Sequence, residues 1–244
     1  MTKPEAYGPF HLSFFFIGLA VSIISAWCLR KCGKKGNRVI LTSIGLILFV
    51  TEVYKQLFYT FIIGGGKYQW WIFPFQLCSI PMYFCLIVPY LRDGPVSRGM
   101  YNFMLAFNLM SGAVSFTEPS GLVHEYWTLT LHAFIWHMLL IFVGLYIGFS
   151  GKAGQKISDF KYAVSTFFVL CTAAFLFNIA FWHMPAATDN PTGHMNMFYI
   201  GPDNSPNHRF QGYLFKVRLV CEHTAVYPLP LFCSVCVLSS FCSL

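Results

Sequence analysis

The chain has 244 residues, of which 56% are apolar and only 10% charged, with a mean hydropathy of +0.58. A soluble domain carries about 25% charged residues, so most of this surface does not face water and a water-soluble globular enzyme is excluded. The formal net charge of +7 sits in short loops, a pattern that sets membrane orientation and argues against nucleic acid as a partner. The expected fold is all-α, a polytopic bundle of seven transmembrane helices forming one domain over residues 1–244.

A membrane span needs about twenty mostly apolar residues. The first apolar run covers residues 10–29 and ends at a basic turn, Arg30, Lys31, Lys34, Lys35 and Arg38. Its basic cluster follows it and no small-residue cleavage site is present, so it reads as a span and not as a cleavable signal. The second covers 39–63 and carries Glu52, Lys55 and Gln56. Gly64, Gly65 and Gly66 break it, and Tyr68, Trp70 and Trp71 form an interfacial aromatic belt. The third covers 72–91 and is interrupted by Pro74, Pro81 and Pro89. The fourth is 101–116, the fifth 126–149, the sixth 162–183 and the seventh 220–242. Loops after the first, third and fifth spans hold ten of the sixteen Lys and Arg residues, which puts the N-terminus outside and the C-terminus in the cytoplasm.

Between the last two spans lies a segment, 184–217, rich in Pro, Gly, Asn and Asp. Its amphiphilic stretch at 195–202 suits a cap on the outer mouth of the bundle, because long loops in compact domains are either functional or disordered. Eight of the nine cysteines read as small buried hydrophobes, among them Cys233 and Cys236 in the last span.

Ionisable groups at bilayer depth are costly and face the bundle interior. Here they are Glu52, Lys55, His132 and His137, with His11, His183 and His223 near the boundary; Gln76, Asn102, Asn108 and Asn178 are uncharged partners. Glu52 and Lys55 are three apart and share a helix face. They read either as a mutually neutralising pair or as a device that orients a catalytic histidine or lines an ion path. Cys78 follows the Trp belt by seven or eight positions, roughly 10 Å below the interface at helical rise. Pro74 and Pro81 flank it, and a broken helix is tolerated in a membrane where it lines a cavity. A buried thiol is inert unless a base stands near it. His132 and His137 are the candidates. They sit about 140° apart around one helix, about 8 and 15 Å below Trp127 by helical rise. No phosphate loop, dinucleotide fingerprint or zinc motif occurs, so neither cofactor nor metal is expected.

Four stretches carry a family resemblance: Pro9-Phe10-His11-Leu12, the run from Phe73 to Ile80 with its Pro-x-x-x-Cys pattern, Ile135-Trp136-His137-Met138 with Leu145-Tyr146-Ile147, and Asn196-Met197-Phe198-Tyr199. In that order the sequence resembles the YwaF-like integral membrane proteins, which include the animal transmembrane protein 164. The resemblance implies a seven-helix fold and, as for the animal member, an acyltransferase that moves fatty acyl chains between phospholipids through a cysteine-bound intermediate. It implies Cys78 as nucleophile and His137 as general base, with weaker support for His132. Gln76 and Asn108 are then candidate oxyanion donors, and Glu52, Lys55, Asn178 and His11 supporting or substrate-binding groups. The setting would be the cell membrane of a bacterium or an endomembrane of a eukaryote. Two other classes stay open: a transporter whose path is lined by the same polar residues, and a seven-helix sensor without turnover, since topology does not fix function.

Overall fold

The computed structural model describes residues 4–181 and 196–200, and the regular structure among these is all helical, with no strand. The seventh expected span, His183, His223 and most of the expected cap lie outside the described residues. Helix α1 spans Pro9–Leu29, with Pro9 at the first position, where its missing N–H costs nothing. Helix α2 spans Lys34–Leu57 and runs on through a π-helical turn, Phe58–Ile63. Helix α3 is short, Ile80–Ile87, and ends in a 3-10 turn, Val88–Tyr90. Helices α4 (Pro95–Phe103) and α5 (Leu109–Thr117) are joined without a break by a π segment, Met104–Asn108. Helix α6 is Trp127–Phe149 and α7 is Phe160–Ala180.

Four helical stretches are long and apolar enough to cross a membrane: Pro9–Leu29, Lys34–Ile63, Trp127–Phe149 and Ile157–Ala180. They match the first, second, fifth and sixth expected spans within a few residues. The third span departs from expectation. Residues 73–79 are not helical, so the 72–91 run has helix only from Ile80. The reason is local. Pro74 holds the residue before it extended, and Pro81 fits only at the first turn of a new helix. The depth of Cys78 therefore does not follow from helical rise. At the fourth expected span the helix is longer than expected, beginning at Pro95.

Helix α6 is the hub, packed on α1, α2, α5 and the π segment, while α4 lies on α7 and α2 on α3. Helix α1 is turned inside out relative to a helix in water: its buried residues are His11, Ser22 and Ala26, while Phe16 and Ile17 are 63% and 65% exposed. Lipid competes for apolar side chains as well as a protein interior does, so small residues mark the helix contacts. A Cβ on Gly112 of α5 would stand 2.9 Å from the His137 carbonyl, and one on Gly144 of α6 would stand 2.6 Å from Leu109 Cβ. Gly112 lets α5 approach α6 closely at the turn that carries His137, and Gly144 does the same two turns further along α6, against Leu109. A buried polar network ties the helices at the end of the bundle near the Arg30–Arg38 turn: Tyr101 accepts from Asn37 Nδ2 at 3.0 Å, and Tyr146 donates to Asn37 Oδ1 at 3.1 Å.

Candidate functional site

A backbone that leaves the helix inside a membrane must find other partners for its N–H and C=O groups. Residues 72–79 find them in side chains. Gln56 Nε2 donates to the Ile72 carbonyl at 2.7 Å, Tyr83 to the Pro74 carbonyl at 2.8 Å, and Trp136 Nε1 to the Cys78 carbonyl at 3.0 Å. Within the segment, Phe75 N–H bonds Phe73 O and Ser79 N–H bonds Gln76 O. Cys78 sits in the resulting turn, half-buried, two residues before α3.

The Trp136 bond fixes that turn against α6, and the next residue on α6 is His137. The His137 ring is oriented by its own helix: Nδ1 lies 2.8 Å from the Ala133 carbonyl. A carbonyl only accepts, so Nδ1 carries the proton and Nε2 holds the free lone pair. His132, the other candidate base, stands between Tyr54, at 6.4 Å between ring centroids, and Trp136, at 5.4 Å. Its Nε2 is buried without a hydrogen-bond partner.

The Glu52–Lys55 pair forms as the spacing predicts, with Lys55 Nζ 2.9 Å from Glu52 Oε1. The same oxygen accepts from Gln56 Nε2 at 2.6 Å, while Oε2 is buried without a partner. The ammonium of Lys55 lies 6.0 Å from the centre of the Trp136 ring, the ring whose N–H holds the Cys78 carbonyl. Tyr68 belongs to the same neighbourhood from the linker side. Burial, then the charge of Glu52 and the Tyr83 hydroxyl, push its phenol up to about 12, so it is a neutral hydroxyl at any working pH.

Gln76 and Asn178 meet through the described part of the expected cap. Asn178 donates to the Met197 carbonyl at 3.0 Å and accepts from the Met197 N–H at 2.7 Å. Phe198 N–H reaches Gln76 Oε1 at 3.4 Å, and its ring stacks on Phe75 at 5.9 Å. Phe198 has φ 57°, a left-handed conformation that a bulky residue adopts only under constraint. The 196–200 stretch is thus fastened to the bundle directly over the segment that carries Cys78.

Asn108 is set apart by a turn of helix. It lies on the π segment, donates to the Leu140 carbonyl at 3.2 Å and leaves Oδ1 buried without a partner. His11 belongs to a different cluster. Its Nδ1 accepts from Tyr7 N–H at 3.0 Å, and its ring packs on Phe116 and Phe134. An open apolar groove of about 520 Å³ runs along α1, lined by Pro9, Phe10, Ser13, Phe14, Ile17 and Gly18. It carries no ionisable group and lies away from Cys78. Among the described residues no group of three or more His, Cys, Asp or Glu is placed to hold a metal ion.

Sequence reasoning missed Gln56 and Trp136 as members of this group. Gln56 is four residues after Glu52, a spacing that puts it on the same helix face. Trp136 gave no such signal, because an indole at that depth is as readily explained by packing.

Long apolar helices around an interior group of a thiol, imidazoles and an ion pair define a polytopic helical membrane protein with a polar centre. The chain belongs to the TMEM164 family, whose model matches residues 6–234, and with its apolar helices this makes it an integral membrane protein. No curated protein and no solved structure matches it.

Proposed function

We propose that the protein is a membrane-embedded acyltransferase that moves a fatty acyl chain between phospholipids through a thioester on Cys78. One observation carries the reading: Cys78 lies in a non-helical turn pinned to the turn of α6 that bears His137, whose lone pair is on Nε2. His137 Nε2 takes the thiol proton, and the sulfur attacks the ester carbonyl of the donor lipid. The tetrahedral intermediate collapses by breaking the bond to the glycerol oxygen, which leaves as a hydroxyl with the proton from His137. A lysophospholipid hydroxyl then gives its proton to His137 and attacks the thioester; the sulfur departs and regains the proton. The start of α3, two residues beyond Cys78, offers positive dipole ends to the charges that develop. Gln76, clamped by its bond to Phe198, supports the oxyanion better than Asn108, whose amide N–H₂ is already given to Leu140.

The finer architecture belongs to the same proposal: seven spans, the N-terminus outside, and the segment around 196–200 capping the outer mouth, with membrane phospholipids as substrates. The apolar run at 220–242 and the Lys and Arg distribution support it.

The test is a proteoliposome assay with a phospholipid carrying an alkyne-tagged acyl chain. The wild type is expected to form a hydroxylamine-labile adduct on the Cys78 peptide and to pass the tag to added lysophospholipid. Cys78→Ala should abolish both, and His137→Asn should slow adduct formation by about 10²- to 10⁴-fold, the usual worth of a general base. An adduct that persists in Cys78→Ala sinks the assignment. Solute flux that survives Cys78→Ala points to a transporter instead.

A further inference from the structure

A lysine and a glutamate at bilayer depth can do no more than neutralise each other, and then the two charges play symmetrical parts. Their surroundings are not symmetrical. Glu52 is 3% exposed and is approached on one oxygen by both Lys55 and Gln56, which hold the carboxylate from its own helix. Lys55 is less enclosed, its side chain 22% exposed. Its ammonium lies over Trp136, the ring whose N–H holds the Cys78 carbonyl. Gln56 closes the arrangement from the other end by bonding the Ile72 carbonyl, where the segment leading to Cys78 begins.

We propose that Lys55 is a positioning residue for the chemistry of Cys78, its ammonium aimed by Glu52 and Gln56 so as to stabilise the ionised sulfur, with Glu52 setting how much of that charge the sulfur feels. The proposal deepens the acyl-transfer reading and rests on it for the use made of the charge. A cation near a thiol favours the thiolate and an anion opposes it. The thiolate, not the thiol, is the nucleophile. Lys55 and Glu52 therefore have opposite effects on Cys78, whereas two partners in a structural pair have the same effect, since losing either one leaves the other buried and uncompensated.

The experiment follows alkylation of Cys78 by iodoacetamide at one fixed neutral pH, in the full-length protein in nanodiscs of zwitterionic phospholipid, read by mass spectrometry of the Cys78 peptide. Lys55→Met is expected to slow Cys78 alkylation about tenfold, the effect of one unit-sized electrostatic perturbation. Lys55→Arg keeps the charge and should hold the rate within about threefold of wild type. Glu52→Gln keeps the shape and the bond to Gln56, and should raise the rate. Alkylation of the exposed Cys28 in the same samples is expected to stay constant. An unchanged rate in Lys55→Met, or shifts of the same sign in Lys55→Met and Glu52→Gln, overturns the proposal. If the sign split appears but no acyl-thioester forms in the wild type, the control of Cys78 by Lys55 stands and acyl transfer falls. If the thioester forms and the rates do not split, only the role of Lys55 falls.

Discussion

Trp136 joins the two residues on which the chemistry depends. Its ring is buried on α6, one position before His137, and its indole N–H is the donor that replaces a helical partner for the Cys78 carbonyl. Trp136→Phe removes that donor and keeps an aromatic ring. A buried acceptor left without a donor costs about 1–3 kcal/mol, so the variant should melt at a lower temperature in detergent. The loss should be local: amide exchange is expected to rise over 73–79 and to stay as it is in α1. Unaltered exchange over 73–79 would show that the turn is held by Gln56 and Tyr83 alone. The side chains that hold the turn and the side chains proposed to act in it are neighbours in the chain, which explains why polar residues gather here at a depth where each is expensive.

The elements divide by how local their causes are. Helices α1, α2, α6 and α7 are legible in the sequence, because a long apolar run has few alternatives in a bilayer. The interruption at Pro74 and Pro81 is legible too, but not its form. Whether a proline kinks a helix or precedes one depends on whether side chains of other helices can serve the carbonyls of the broken segment, and Gln56 comes from the preceding helix while Trp136 lies 58 residues beyond Cys78. The π segment at Met104–Asn108 left no sequence signal. The cap could be read as amphiphilic, yet its fastening could not, because it depends on Asn178 meeting the backbone of Met197. That fastening makes a prediction for the element. Asn178→Leu fills the same space, leaves the N–H of Met197 unpaired and leaves its C=O only the 3.4 Å bond from Ile200 N–H, at about 1–3 kcal/mol for a buried group. The 196–200 stretch should then lose its protection in hydrogen exchange and become a site of limited proteolysis, while α7 keeps its own protection. A stretch that stays protected would mean that the stacking of Phe198 on Phe75 is sufficient by itself.

For the molecule as a whole, the number of crossings turns on the third segment. The helical part, Ile80–Tyr90, rises only about 16 Å, half of what a bilayer core of about 30 Å requires. A helix that short would ordinarily mark a re-entrant loop. The non-helical residues 73–79 add to this length, but by less than the roughly 23 Å of a fully extended chain, because Phe75 N–H turns back to Phe73 O and Ser79 N–H to Gln76 O. Side chains serve the carbonyls of Ile72, Pro74 and Cys78, and backbone N–H groups those of Phe73 and Gln76, which lowers the cost of placing this stretch at membrane depth. Under the proposed seven-span topology the segment crosses once, and the linkers on either side of it should face opposite compartments. Lys67→Cys and Asp93→Cys, both at exposed positions, report this directly. With a membrane-impermeant maleimide on intact cells, the Lys67→Cys peptide should be modified at once and the Asp93→Cys peptide only after permeabilisation. That outcome agrees with the greater share of Lys and Arg beyond the first, third and fifth spans. Modification of both from the same side would make the third segment re-entrant. It would also invert every span after it, and place the proposed cap after five crossings instead of six, on the cytoplasmic face.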